Sequence, residues 1–94
     1  MKTLVIYDIT DDDIRNKVAE ICKNYGLKRI QKSAFIGNLT STKRKELKAE
    51  LEKTLGNKKG NIQIYTLCRH CYAERISIGQ PTIPEEYKEE IIVI

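Results

Sequence analysis

Residues 3–9, which read TLVIYDI, and the acidic stretch TDDD at residues 10–13 decide the fold of this chain of 94 residues. The first stretch is rich in β-branched residues and alternates little, which is typical of a central strand that is covered on both faces or lies at an interface. Thr10 and Asp11 can cap a helix, whose positive end favours the carboxylates that follow. Apolar residues then recur at helical spacing, at Ile14, Val18, Ile21 and Tyr25. The sequence therefore predicts a strand followed by a helix that ends at Gly26.

The middle of the chain predicts a second set of strands and a second helix. Residues 28–39, KRIQKSAFIGNL, alternate in a way that indicates a bent strand or a tight hairpin. One side of this segment carries Ile30, Lys32, Ala34 and Ile36, and the other carries Arg29, Gln31, Ser33 and Phe35. Turn and capping residues at 38–42 precede a helix that ends at Gly56, with Leu47, Leu51 and Leu55 on its apolar seam.

The order of these elements predicts the fold class. Residues 61–68 alternate as a strand does, and residues 75–79 are expected to form a short one. The order βαββαβ is that of an α+β, ferredoxin-like sandwich, with two helices against one face of an antiparallel sheet. We expect one domain over residues 1–80 and a tail over residues 81–94, beginning at Pro81.

The C-terminal tail predicts a homodimer. Its last residues, EIIVI at 90–94, are mostly β-branched, and an exposed strand such as Ile91 to Ile94 would invite aggregation. We therefore expect this strand to pair with the sheet edge of a partner subunit. A domain of this size also buries only about 60 to 65% of the surface of its unfolded chain, so a partner would stabilise it.

Hydropathy predicts a cytoplasmic protein without a membrane partner. No window approaches the roughly 18 apolar residues that a spanning helix requires. Asp8 interrupts the only N-terminal apolar run at the point where a secretory segment would continue.

The distribution of charge points to nucleic acid. The net charge is +4, and residues 43–59 alone hold seven Lys or Arg against three Glu. Such clusters bind phosphate backbones through the release of condensed counterions, although a solvated helix face has the same appearance. The candidate phosphate contacts are Lys43, Arg44, Lys45, Lys48, Lys58 and Lys59.

Asp8 is the candidate metal ligand. A carboxylate at the end of an apolar strand is costly to bury unless it is paired or bound to a cation, and its hard oxygens suit Mg²⁺. Two copies of Asp8 that meet at a two-fold axis could share one ion. The alternative is that Asp8 hydrogen-bonds the turn into the first helix. Residues 11–13, all aspartate, are interpreted as acids of the helix start.

The three cysteines give no closed metal site within one chain. Cys68 and Cys71 have C-x-x-C spacing with His70 between them, and Cys22 stands apart. A site shared across a dimer and a redox pair are both open. We favour two small buried side chains near a strand end.

Two spaced motifs resemble those of the CRISPR-associated protein 2 family. They are Y-D-I-x-D-D-x-x-R at residues 7–15 and Q-x-S-x-F-x-G at residues 31–37, and the element order is similar over residues 1–80. The resemblance implies a ferredoxin-like homodimer with an exchanged C-terminal strand. It also implies a role in the acquisition of foreign DNA, with metal-dependent nuclease activity on RNA or double-stranded DNA and a bridging contact to an integrase subunit.

The resemblance also implies functional residues. The family's metal-binding aspartate matches Asp8, and the other matching positions are Tyr7, Arg15, Arg29, Ser33 and Phe35. A further basic position is Lys17 here, which keeps the charge but loses the bidentate phosphate contact of an arginine. No residue near these motifs is an evident general base. A non-catalytic DNA-binding scaffold, and a toxin-like ribonuclease similar to virulence-associated protein D, therefore stand as alternatives.

Overall fold

The computed structural model describes residues 1–79, whose four strands form one antiparallel sheet. The strands are β1 (Lys2–Ile9), β2 (Lys28–Gln31), β3 (Ala34–Asn38) and β4 (Gly60–Leu67). The helices are α1 (Asp12–Asn24), α2 (Ser41–Leu55) and a short α3 (Arg69–Ala73). The strand order β2-β3-β1-β4 and the sequence βαββαβ confirm the predicted α+β, ferredoxin-like class. The predicted tail, its strand and the boundary at residue 80 lie outside the described residues.

Both long helices begin at side-chain caps that the sequence indicated. The Asp11 carboxylate accepts the backbone N–H of Ile14 at 2.9 Å, and the Thr40 hydroxyl accepts that of Lys43 at 3.1 Å. Each bond satisfies an N–H group that the first turn of a helix leaves without an internal partner. The chain leaves α1 through Gly26, whose φ of +82° is readily adopted only by a residue without a side chain.

The core lies between the two long helices and one face of the sheet. Every second residue of β1 points into it, and these residues are Thr3, Val5, Tyr7 and Ile9. Leu47 and Leu51 pack against them from α2, and Val18 packs from α1. The expectation that helices or other elements cover both faces of β1 is not met among residues 1–79, because Ile6 on the opposite face is 40% exposed. That open face suits the other predicted environment, an interface.

Residues 28–39 form the tight hairpin that was one of the two predicted alternatives. Arg29 pairs with Phe35, but the next pair joins Gln31 to Ala34, so the register shifts by a bulge at this point. The predicted grouping of Gln31 with Phe35 is therefore wrong, because one extra residue reverses the side to which the following residues point.

The segment after β4 differs from the prediction. Residues 75–79 do not form the expected strand, and α3 precedes them. The Cys68 side chain caps this helix, and cysteine is not one of the usual capping residues from which a helix start is inferred. No helix within residues 1–79 combines the length and the apolar character that crossing a bilayer requires.

Candidate functional site

Asp8 lies exposed near the end of β1, on the open face of the sheet. It is directly opposite Asn61 of β4 in the antiparallel register. The alternative role of Asp8 at the helix start is filled by Asp11, which caps α1. Among residues 1–79, no hydrogen bond or ion pair engages the Asp8 carboxylate. Its oxygens are therefore available to an external ligand.

Three of the predicted site residues lie beneath the sheet surface that carries Asp8. Tyr7, Arg29 and Phe35 are 3%, 4% and 0% exposed. The Tyr7 and Phe35 rings stack with 6.4 Å between their centroids, and the Arg29 guanidinium lies 4.7 Å from the centroid of Phe35. Arg29 also donates a hydrogen bond to the carbonyl of Lys32 in the β2–β3 turn. These contacts fix the strand that bears Asp8, and a direct role of these residues in binding or cleavage stays a prediction.

Ser33, in the β2–β3 turn, and Arg15, on α1, both contact the end of β1. The Ser33 carbonyl accepts the backbone N–H of Tyr7 at 3.0 Å, which continues the pairing of β3 with β1 into the turn. The Arg15 guanidinium donates to the carbonyl of Ile9 at 3.3 Å and pairs with the carboxylate of Asp12. Both residues are thus placed at the end of the sheet where Asp8 lies.

The donor set around Asp8 suits a hard cation but is incomplete in one chain. Carboxylate and amide oxygens are the ligands that Mg²⁺ accepts, and Asp8 and Asn61 supply one of each. The Asn61 oxygen also accepts the side-chain amide of Gln63 at 3.1 Å. Residues 1–79 contain no cluster of three or more His, Cys, Asp or Glu that could hold a metal ion. A magnesium ion at Asp8 would therefore need further ligands from outside this set, such as water, a substrate phosphate or the second copy of Asp8.

A basic groove runs between α2 and β4, which is an edge strand of the sheet among residues 1–79. We call it the α2–β4 groove, and its volume is about 680 Å³. Its lining residues are Ser41, Arg44, Lys45, Lys48, Leu51, Glu52, Leu55, Ile62, Ile64 and Thr66. Arg44 reaches across it and donates to the Thr66 hydroxyl at 3.1 Å. Lys48 pairs with Glu52 at 3.0 Å, so part of the positive charge is balanced within the helix. The groove has an apolar floor and a basic rim.

The other predicted basic residues lie outside this groove. Lys43 is exposed and pairs with Glu46 at 3.3 Å. Lys58 and Lys59 are exposed in the turn before β4. The first residue of β4 lies opposite Ile9, so this turn is at the Asp8 end of the sheet. Lys17 is exposed on α1. The predicted basic residues of α2 and of the turn thus extend along one edge of the molecule towards Asp8.

The cysteine pair occupies the opposite end of the sheet. Leu67, just before Cys68, pairs with Lys2, whereas Asn61 of the same strand pairs with Asp8. Six residues of extended strand separate the two positions by roughly 20 Å. Neither thiol nor His70 can therefore act at Asp8. The favoured interpretation of this pair as buried side chains is wrong, because Cys71 is exposed and Cys68 is only half-buried.

Sequence reasoning found Asp8 but not its neighbour Asn61. The strand at residues 61–68 was expected, yet nothing in its composition states which residue lies opposite Asp8. The apolar floor of the α2–β4 groove was not predicted either, because the sequence indicated Leu55 only as part of the apolar seam of a helix.

Comparison with known proteins shows the family. The model of the family described as CRISPR associated protein Cas2 matches residues 1–75. A protein of Korarchaeum cryptofilum named CRISPR-associated endoribonuclease Cas2 is 48% identical over 85% of this chain and 86% of its own length. The fold is similar to that of Streptococcus pyogenes Cas2, with a TM-score of 0.71 at 26% identity, over 84% of this chain and 100% of the other. The chain belongs to the Cas2 family.

A fusion protein adds a relative of different length. A protein of Thermoproteus tenax is named CRISPR-associated endonuclease Cas1/endonuclease Cas2 fusion. It is 43% identical to this chain, and the alignment covers 69% of this chain. The aligned part is 25% of the fusion protein. A Cas2 segment and a Cas1 segment are therefore joined covalently in that relative.

Because Tyr7 points into the core and Asp8 points to the open face, their removal should affect stability by very different amounts. Tyr7→Ala should lower the free energy of unfolding by about 3–5 kcal/mol, because it removes a buried ring and leaves a cavity beside Phe35. Asp8→Ala should change it by less than about 0.5 kcal/mol, since Asp8 is exposed. Urea denaturation followed by circular dichroism measures both. Equal losses in the two variants would contradict the assignment of Asp8 to the open face.

Proposed function

We propose that this protein is a nuclease of CRISPR adaptation, which hydrolyses phosphodiester bonds of RNA or double-stranded DNA at Asp8. The observation that carries the proposal is the exposed Asp8 carboxylate, which has no partner among residues 1–79 and lies near the end of a strand whose other face is buried. Related proteins of similar length are named endoribonucleases, which supports the same chemistry here.

The proposed site forms when two protomers bring their Asp8 carboxylates together. Two like charges at short distance repel unless a cation lies between them, and their oxygens would hold Mg²⁺. When bound, the ion would neutralise charge on the scissile phosphate. In this scheme Asp8 would bind the ion and thereby position the phosphate. Of the two predicted arginines, Arg15 is the better candidate for contact with the phosphate, because its side chain is 30% exposed and Arg29 is buried.

Proton transfer in this scheme does not use histidine. His70 is the single histidine of the chain and lies on α3, at the opposite end of the sheet from Asp8. We therefore assign no side chain as general base. Hydrolysis at Asp8 depends on the position of the phosphate and on the neutralisation of its charge.

The homodimer that this site requires is supported by the open face of the sheet. Ile6 and Tyr65 are 40% and 45% exposed there, and Leu4 between them is half-buried. Apolar side chains that lie together on one face mark a surface for association. The tail, residues 81–94, combines glutamates with an apolar end, which is complementary to the basic rim and apolar floor of the α2–β4 groove. We propose that each tail pairs with the β4 edge of its partner.

A second function is a structural one, as a DNA-binding bridge for an integrase subunit. The fusion of Cas1 and Cas2 segments in the Thermoproteus tenax relative supports a partner of the Cas1 kind. This role needs only the dimer and the basic edge of the molecule. It is compatible with cleavage at Asp8 and becomes the sole function if Asp8 proves dispensable.

Replacement of Asp8 tests the nuclease. Asp8→Asn keeps the shape of the side chain but removes its charge, so Mg²⁺-dependent cleavage should fall by about a hundredfold or more. Purified protein is assayed on labelled RNA and on duplex DNA over a range of Mg²⁺ concentrations. Asp13→Asn is the matched control, because Asp13 is also exposed but lies on α1.

Two outcomes of this experiment would contradict the proposal. Equal cleavage by Asp8→Asn and the unaltered protein would place the activity elsewhere or in a contaminant. No cleavage by either protein, with spacer acquisition retained by both in cells, would leave the bridging function alone.

The basic edge predicts a specific change in salt dependence. Lys45→Ala combined with Lys58→Ala should weaken duplex binding and reduce the slope of log affinity against log salt by about 2 per protomer, because each lost phosphate contact removes about one counterion. Fluorescence anisotropy with a duplex at several salt concentrations measures the slope. Lys53→Ala is the control, because Lys53 lies on the same helix but is neither part of the groove lining nor one of the candidate phosphate contacts. An unchanged slope in the double variant would favour a solvated helix face.

Deletion of residues 85–94 tests the dimer. If the tail docks on the partner subunit, the shortened protein should dissociate at concentrations at which the complete chain remains dimeric, and its thermal midpoint should fall. Sedimentation velocity at low micromolar concentration measures the first effect. An identical dimer of unchanged thermal stability would show that the tail does not hold the subunits together.

A further inference from the structure

Cys68 and Cys71 lie within one turn at the start of α3. The Cys68 thiol accepts the backbone N–H of Cys71 at 3.2 Å. The backbone carbonyl of Cys68 accepts the N–H of Tyr72 at 3.0 Å, which closes the turn that brings the two residues together. Both cysteines are free thiols, and Cys71 is exposed to solvent. A thiol pair in this arrangement is accessible to a small reagent.

The two thiols of this pair are not equivalent. The Cys68 sulfur accepts the backbone N–H of Cys71, and the two thiols influence each other. The N–H of Cys71 is the largest cause that lowers the pKa of Cys68 below its usual range. The interaction with the Cys68 side chain raises the pKa of Cys71. Cys68 is therefore the better thiolate, and Cys71 is placed to react with it afterwards.

The surroundings hold this turn in place. Two cations contact the Tyr72 ring, with the Arg75 guanidinium 3.9 Å and the Lys2 ammonium 5.2 Å from its centroid. Arg75 also donates to the carbonyl of Tyr72 at 2.8 Å. These contacts fasten α3 to the start of β1, so the pair belongs to ordered structure.

The third cysteine provides an internal contrast. Cys22 is fully buried in the core on α1, and burial raises the pKa of its thiol to about 12. It is neither accessible nor ionised at neutral pH. Any fast thiol chemistry of the folded protein must therefore arise from the α3 pair.

We propose that Cys68 and Cys71 form a redox-active dithiol, which exchanges with low-molecular-weight disulfides independently of the Asp8 site. The Cys68 thiolate attacks one sulfur of the small disulfide, whose S–S bond breaks and releases one thiolate that takes up a proton. Cys71 then loses its proton and attacks Cys68 in the mixed disulfide, which releases the second small thiol. The protein loses two electrons and two protons, and the small disulfide is reduced to two thiols.

Oxidised glutathione is the probe that tests this proposal. The reduced, complete protein is incubated with it under native conditions, quenched with acid and analysed by mass spectrometry. We expect the unaltered protein to lose two hydrogens without retaining glutathione, through a bond that peptide mapping assigns to Cys68 and Cys71. Cys71→Ser should retain one glutathione on Cys68, because the resolving thiol is absent. Cys68→Ser should react at least about tenfold more slowly than Cys71→Ser.

A denatured reference separates the effect of the fold from that of the sequence. In denaturant the two single variants should react at similar rates, because the hydrogen bonds to Cys68 are lost. Similar rates of the two variants in the native state would overturn the proposal, as would glutathione retained by the unaltered protein. The same holds if the purified protein contains zinc and reacts only after chelation, since the pair would then be a metal site. Alanine variants repeat the comparison if the serine variants do not fold.

Discussion

The alternation of side chains along β1 is the constraint on which the rest of the structure depends. Burial of Tyr7 on the helix-covered face directs its neighbour Asp8 to the open face, because the side-chain period of a strand is two. A slip of one residue would expose Tyr7 and force the charge of Asp8 into the core, which is costly without a partner. Since β1 pairs with β3 on one side and with β4 on the other, hydrogen bonds to both neighbours fix its register. The exposure of Asp8 is therefore set by the same packing that stabilises the fold.

The buried members of the family motif are explained by this constraint. Tyr7 and Phe35 lie on neighbouring strands and stack within the core. The Arg29 guanidinium packs over the Phe35 ring. An aromatic pair of this kind contributes about 0.5–1.5 kcal/mol beyond the burial of its surface. The contacts join β1, β3 and β2 at the end of the sheet where Asp8 is exposed. A motif that contains both buried and exposed residues can thus serve one site, with the buried residues fixing the position of the exposed one.

The parts of the fold that the sequence predicted are those with local signals. The cap at Asp11 and the seam of Leu47 and Leu51 are determined by neighbours within a few residues, so they could be read directly. The bulge before Gln31 and the start of α3 could not, since the first depends on pairing and the second on an unusual cap at Cys68. The same division holds at the site. Asp8 was identified from its strand and motif, whereas Asn61 enters through a cross-strand register that no local pattern encodes.

The two ends of the β1–β4 pair carry different chemistry. Hard oxygen donors lie at the end with Asp8 and Asn61, and soft sulfur donors follow Leu67 at the other. Hard cations such as Mg²⁺ favour the first set, and thiolates favour softer metals and disulfides. Because β4 pairs with β1 along its whole length, a shift of β4 that carried a change at Cys68 to Asn61 would break the ladder. We therefore expect oxidation of the thiol pair to leave the Asp8 end of the sheet unchanged.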